Sequence, residues 1–428
     1  MAVIQAKYDA AETLIAARSL PGGAAWAVEA RNSALANLRQ MGVPHRRDEY
    51  WKYTNPASLI AAEAPKADVF ETSETRPFEV LDRLRLVFID GVFDPEQSDP
   101  LALEGVEIEP LSTALNADIH WASSVYGVLE ANGQKPVARP LAALNTAQAV
   151  QGFAIRVTGK VARVISMIYL RSSVTADAMV HNVIKLEEGA DLTLTENGPV
   201  AARANMVMEV EVARGGAFHH IRAQGRDHQR QAATHMFARL NAESSFKSFT
   251  LTVNGKLTRN EAVIEFTGND AHATVAGACG GDGDFLHDDT VFITHDAVNC
   301  ESRQVFKKVL RNGATGVFQG KILVQPDAQK TDGYQLSKAL LLDDNSNFLA
   351  KPELEIYADD VACSHGSTCG EIDENSLFYL TSRGIPFACA QDMLTLAFLN
   401  EAIEEIEDPV IAEDIRDRLA AWMERRTG

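Results

Sequence analysis

Residues 189–224 read GADLTLTENGPVAARANMVMEVEVARGGAFHHIRAQ, and the spacing inside this stretch decides the fold. Met206, Met208, Val210 and Val212 alternate with Val207, Glu209 and Glu211. Period-two alternation places one set on each face of a β-strand. Gly189-Ala190 precedes Leu192 and Leu194, and the same pattern returns as Gly216-Ala217 before Phe218 and Ile221. It returns again as Ser244-Ser245 before Phe246 and Phe249, and a further run begins at Ala271 to Val275. The anchors at 190, 217, 245 and 273 step by 27 or 28 residues. A fixed step in that range is the signature of stacked coils, each too small to bury its own apolar face.

Working outward, the same texture runs from about residue 150 to 372. Leu251 and Val253 alternate with Thr250, Thr252 and Asn254, and Gly or Asn/Asp turns punctuate the strands at 188–189, 215–216, 254–255, 268–270 and 312–313. Many short strands at this spacing are compatible with a sandwich, barrel, propeller or solenoid, and the repeat favours the solenoid. Towards the N-terminus the pattern is helical: Ala10 to Gln40 reads as a pair broken at Pro21-Gly22-Gly23, followed by Pro-punctuated short elements to about 145. Beyond the strands, Asp373 is placed to cap a helix that ends at Gly384. Met393, Leu396, Leu399, Ile403 and Ile406 then mark one face of the next helix, and Leu394, Phe398 and Ala402 a second. Asp408-Pro409 breaks it, and a last helix is expected from Ile411 to Arg426. Two apolar stripes suggest burial on both sides: packing within the helical domain, or docking of a partner.

Composition narrows the function classes. Forty Lys and Arg against 59 Asp and Glu give a net charge of −19. That argues against nucleic acid or an anionic membrane as partner. There is no run of 18 apolar residues, and the opening residues lack the pattern of a signal peptide. Five cysteines, an odd number thinly spread over 428 residues, suit a reduced, cytoplasmic setting better than a disulfide framework.

The chemistry concentrates in Glu353–Ile385, ELEIYADDVACSHGSTCGEIDENSLFYLTSRGI. Cys363 and His365 alternate with Ala362 and Ser364, so an extended strand presents a thiol and an imidazole side by side. Such a pair suits iron, zinc or copper better than magnesium or calcium. The strand is expected to break at Gly366 and Gly370. Cys369 adds a Cys-x-His-x₃-Cys spacing that could hold zinc adventitiously. Cys279, Cys300 and Cys389 lack metal-like spacing and are assigned to the core. The histidines at 181, 219, 220, 228, 235, 272, 287 and 295 read as solvent-facing or interior ladder residues, and His219 and His220 must point to opposite faces of their strand.

These blocks resemble the SufB/SufD family of iron–sulfur cluster assembly scaffolds. The resemblance rests on LEIYADD from Leu354, CSHGST from Cys363, GEID from Gly370 and FYLTSRGI from Phe378. Upstream it extends to GATGVFQGKILV from Gly313, AQKTDGYQ from Ala328 and LLLDDNSNFLAKPELEI from Leu340. DEYWKYTNP from Asp48 is similar to a segment of the SufD branch. SufB-type chains carry Glu-His-Glu-Ala-Thr where Ser364 to Thr368 stand here, and a cysteine near the position of Ser337; both differences fit the SufD branch.

The resemblance implies a mainly β fold with a right-handed parallel β-helix core over residues 150–372. An N-terminal helical and mixed domain (1–149) and a C-terminal helical domain (373–428) would flank it. It implies a non-enzymatic scaffold that pairs with a SufB-type chain and docks a SufC-type ATPase through its C-terminal helices. A transient cluster would form at the SufB–SufD interface, with His365 as candidate iron ligand and Cys363 as a weaker one. No tightly bound cofactor is expected on the chain alone, where a homodimer could form through unpaired end strands.

Other classes are less well supported. A SufB-like scaffold that binds cluster alone would carry stoichiometric iron and sulfide without a partner. A polysaccharide-lyase-like β-helix needs an Asp/Arg/Lys cluster with Ca²⁺, and only the 280–289 region approaches it. Gly280-Gly281-Asp282-Gly283-Asp284 occurs once and reads as a flexible loop. Gly316-x₃-Gly320-Lys321 lacks P-loop spacing, and no Ser-His-Asp set or GxGxxG is present.

Overall fold

The computed structural model describes residues 2–69, 76–225 and 227–424. Its body is a parallel β-solenoid flanked by N- and C-terminal helices. Strands alternate between two ten-stranded sheets, so neighbours in a sheet come from successive coils. The first sheet runs from Val92–Phe93 and Arg83–Ile89 through Val164–Leu170, Asp191–Asn197, Ala217–Gln224, Ser245–Val253, His272–Asp282, Glu301–Arg311 and Thr331–Leu341 to Val361–Gly370. The second runs from Ala102–Leu103 and Val106–Pro110 to Asn347–Ile356.

The repeat read from the sequence is the register of the first sheet to within one residue. Asp191, Ala217, Ser245, His272, Glu301 and Asp332 are successive Cα partners. Leu192, Phe218, Phe246 and Ala273 therefore stack on one another inside the coil. The corner before each strand keeps the coils in phase. Gly189, Gly215, Glu243, Asp270, Asn299 and Lys330 all take left-handed backbone, with φ between 58° and 67°. Each also donates its backbone N–H to a carbonyl of the next coil. Only some of the six are residues that favour this conformation, so the repeat is faint in letters though regular in space.

The apolar rows of the two sheets face each other, and Met206, Met208, Val210, Ile264, Phe266, Ile293, Phe306 and Phe318 fill the space between them. Their outer faces are covered by different ends of the chain. Val183, Val207 and Phe237 of the second sheet pack against Ala27, Leu111, Leu115, Tyr126 and Leu129. A buried charge network ties the same face down: Arg139 meets Glu261 at 2.9 Å, Arg259 meets Glu261 at 2.7 Å and also Asp288, and Arg259 lies over the Trp51 ring. Burial alone would raise the Glu261 carboxyl, but Arg259 and Arg139 outweigh it and bring the pKa down to about 2. On the first sheet, Ile221, Phe249, Leu251, Val305 and Val309 receive the helices Phe387–Ile403 and Pro409–Glu424 through Leu399, Ile403, Ile415, Leu419 and Trp422, with Ile406 of the turn between them.

The two ends of the solenoid differ. At one end Arg83–Ile89 pairs with Val164–Leu170, and Val106–Pro110 pairs antiparallel with Phe153–Val157, so the N-terminal segment closes the stack. At the other end Asn347–Ile356 and Val361–Gly370 each have a strand neighbour on one side only.

Three local expectations need correction. The strand from Val361 continues through Gly366 to Gly370, because ladder pairing with Thr331–Leu341 overrides the low strand preference of one glycine. Gly280 to Asp282 are the end of strand His272–Asp282 and not loop; the turn is Gly283 to Phe285, with Gly283 at φ 68°. The last helix extends from Pro409 to Glu424, and Arg426 lies outside the described residues.

Candidate functional site

The bare end of the solenoid carries the residues singled out in the sequence. In the terminal ladder Cys363 pairs with Gly333, His365 with Gln335 and Ser367 with Ser337. Cys363 and His365 are two residues apart on an extended strand, about 6.6 Å along it and on one face. That face is the inward one. A Cβ built on Gly333 would lie 3.2 Å from the Cys363 Sγ and 3.4 Å from Ile322, so the missing side chain of Gly333 makes room for the thiol. Cys363 is half-buried beside Ile322, Val324 and Ala328. Burial pushes its thiol pKa up, Asp332 adds to this, and the Gly333 backbone opposes it. The thiol must therefore lose a proton to act as a ligand, and metal binding would release that proton.

His365 is exposed and makes no hydrogen bond or ion pair among the described residues. Beneath it, buried Gln335 donates to Gln304 at 2.8 Å. The Ser337 and Ser367 hydroxyls lie 2.7 Å apart, so a hydroxyl pair occupies the ladder next to His365. Among the described residues, no group of three or more His, Cys, Asp and Glu side chains is arranged to hold a metal ion. Cys363 and His365 supply at most two donors, and a four-coordinate iron would need the others from elsewhere. Cys369 cannot complete the set. With the strand unbroken it lies four residues from His365, about 13 Å away. The Cys-x-His-x₃-Cys spacing therefore does not close on one ion.

The other terminal strand is held by the segment around Tyr50. Lys351 meets Glu49 at 2.6 Å and sits over the Tyr50 ring, while the Tyr50 hydroxyl donates to Glu353. This contact, together with desolvation as the larger cause, lifts the Tyr50 pKa well above that of a free phenol. The DEYWKYTNP motif is thus a strap across the outer side of Asn347–Ile356, the edge strand of the second sheet.

Beyond Gly370 the helix Glu374–Ser382 packs on Phe387–Ile403 without a fully buried residue. Asp373 caps it by accepting from the Ser376 N–H at 2.7 Å, and Gly384 ends it with φ 89°. Phe378 is 73% exposed, Tyr379 55%, Phe387 61% and Met393 50%. Both predicted stripes on Phe387–Ile403 pack inward: Leu399 and Ile403 of one and Ala402 of the other bury against the first sheet, whereas Met393 faces out with Phe387 at the overhanging end. Cys389 belongs to that overhang: it is exposed, contrary to its assignment to the core, because it lies off the buried face marked by Ala390 and Leu399. Cys279 and Cys300 are buried as expected. His220 is interior against Glu196, while His219 lies on the outer face between Asp191 and Glu407. The motif letters of Phe378 and Tyr379 carry no mark of exposure by themselves; the signal in the sequence is a short aromatic helix with no matching apolar stripe to pack on.

Residues 169–398, just over half of the chain, match the family described as SUF system FeS cluster assembly, SufBD core domain. The iron–sulfur cluster assembly protein SufD of Escherichia coli is 28% identical over 403 residues, covering 90% of each chain. An iron–sulfur cluster assembly SufBD family protein of Synechocystis is 28% identical over 421 residues, covering 89% of this chain and 87% of that one. The SufD of Bacillus subtilis is 30% identical over 146 residues, covering 34% of this chain and 32% of its own length. No helix is long and apolar enough to cross a membrane among the described residues. With a parallel solenoid, a matching core and these relatives, the chain belongs to the SufBD family, is SufD-like, and has a role in iron–sulfur cluster assembly.

Proposed function

We propose that this chain is a cytoplasmic, non-enzymatic scaffold subunit that completes an iron–sulfur assembly site together with a SufB-type chain and docks a SufC-type ATPase. The observation that carries the reading is the uncapped end of the solenoid. It presents two unpaired strand edges, with a thiol and an imidazole on the inward face of one of them. An unpaired edge is a template for β-augmentation by another chain. A sister solenoid pairing there would extend the inward face across the junction and add the ligands that this chain lacks. Nascent cluster is then cargo held transiently, with His365 as iron ligand and Cys363 in a lesser role. Sulfur would arrive on the partner, since Ser337 stands where the SufB branch has its thiol. The exposed aromatics at 378, 379 and 387 are the proposed ATPase contact.

Co-expression with SufB-type and SufC-type chains tests this reading. A complex of all three that carries iron and acid-labile sulfide, against an isolated chain that carries little of either, is expected. Stoichiometric cluster on the isolated chain after anaerobic reconstitution would favour a self-sufficient scaffold instead. A homodimer of the isolated chain that dissociates when the SufB-type chain is added would show one edge serving both unions.

A further inference from the structure

One strand below the uncapped edge lies a buried amide that no contact yet described fully satisfies. Gln335 is the Cα partner of His365, and the row continues beneath it through Gln304, Val275, Ser248 and His220. Every member of the row projects to the same side of its strand, into the solenoid, and successive members stack at ~4.8 Å.

Polar neighbours along the ladders of this sheet bond side chain to side chain. His220 meets Ser248 at 2.9 Å and Gln304 meets Gln335 at 2.8 Å, both within the row that ends in His365. In the adjacent row Ser337 meets Ser367 at 2.7 Å. Gln335 and His365 stand in the same one-step relation, yet their side chains are not bonded.

The Gln335 amide is firmly seated. Its Nε2 donates to the Gln304 Oε1, and a Cβ built on Gly320 would stand 2.1 Å from that same nitrogen, so the second sheet makes room for the amide at a glycine. It is also incompletely paired. Gln335 is 0% exposed, and its Oε1 has no hydrogen-bond partner. A buried carbonyl oxygen without a donor is costly. The side chain stacked above it in the row is His365, which is exposed and itself without a hydrogen bond among the described residues. Because Val361–Gly370 ends its sheet, no further strand restrains the imidazole. Each side chain offers what the other lacks: a fixed acceptor and a ring N–H.

We propose that Gln335 is the positioning residue for His365. One imidazole N–H donates to the Gln335 Oε1 when the partner chain closes over the edge, which fixes the tautomer and the plane of the ring. The second ring nitrogen is then the one that presents its lone pair to iron. Histidine ligands as a rule have their other N–H held by an oxygen acceptor, and loss of such an acceptor weakens metal binding by about 10–100-fold. The inference rests on the ligand role proposed above for His365 and adds the group that holds that ligand in place.

The test is optical titration of the metal-free heterodimer with a SufB-type chain, using Co²⁺ as a spectroscopic stand-in for Fe²⁺. Gln335→Met, close in size and without polar atoms, is expected to weaken Co²⁺ binding by at least about tenfold. Gln335→Glu keeps an acceptor and is expected to restore most of it. In a His365→Ala background Gln335→Met should have no further effect, because the amide acts through the imidazole. Unchanged affinity in Gln335→Met overturns the proposal, and so does a loss that persists undiminished in the His365→Ala background, which marks a purely structural role. A His365→Ala heterodimer that binds Co²⁺ as tightly as wild type overturns the ligand reading itself, and this inference with it. Should Gln335→Met fail to assemble, the ¹⁵N imidazole resonances of His365 in the unsubstituted heterodimer, assigned by their loss in His365→Ala, decide the matter. A single tautomer is expected, and two tautomers in exchange overturn the proposal.

Discussion

Replacing Phe378 and Phe387 together by alanine separates docking from folding. Both rings are largely in water, 73% and 61% exposed, and the helix that carries Phe378 has no fully buried residue. Exposed substitutions of this kind change folding stability by no more than about 0.5 kcal/mol. Covering those exposed fractions under a partner, at the middle of the ~1.5–3 kcal/mol range for a whole Phe side chain, is worth about 1.5 kcal/mol each. Loss of both, about 3 kcal/mol, corresponds to an affinity loss of about 100-fold. Calorimetry against the SufC-type ATPase reads the affinity, and urea unfolding reads the stability. The control is Leu399→Ala, whose side chain is fully buried between helix and sheet. It should cost about 2–5 kcal/mol of stability. A double alanine variant that binds within twofold of wild type would refute the assignment of this surface.

Two further outcomes follow from groups that were not chosen for function. Burial, reinforced by Glu209 and opposed by Gln134, raises the Glu130 carboxyl from its ordinary 4.5 to about 8. The neutral form is the folded one, so its contribution is full below pH 4.5 and is lost as pH rises to 8. Glu130→Gln should therefore gain stability relative to wild type from pH 5 to 8, by up to about 1.4 kcal/mol per pH unit, and a pH-independent difference in denaturant unfolding would contradict this. Thiol labelling of the native chain should be fast at exposed Cys369 and Cys389 and slower at half-buried Cys363. It should reach Cys300 and Cys279 only on unfolding, the latter because burial lifts its pKa to about 12. Labelling of Cys363 as fast as Cys369 would mean that the terminal ladder is frayed.

What the sequence made legible follows from where its signals are local. Strand alternation at Met206 to Val212 and the recurring anchors come from side chains that repeat a position in the coil, so the solenoid could be read directly. The Asp373 cap and Gly384 terminus are equally local, and both are present in the structure. Elements decided by partners far along the chain were not legible. The ladder with Thr331–Leu341 carries the terminal strand past Gly366, and the position of the sheet under Phe387–Ile403 leaves Cys389 outside. The capping of one end by strands from 83–110 has no periodic signature at all, yet it is what leaves the other end as the open one.

The central claim is that the inward face of the uncapped terminal strand is where cluster is held. Its most direct measurement is the iron and acid-labile sulfide content of the complex co-expressed with SufB-type and SufC-type chains, comparing His365→Ala with wild type at matched assembly. His365 is exposed and without a hydrogen-bond partner, so the substitution should leave folding and complex formation intact. The account predicts an assembled complex with strongly reduced iron and sulfide. An assembled His365→Ala complex with the wild-type content of both would contradict it.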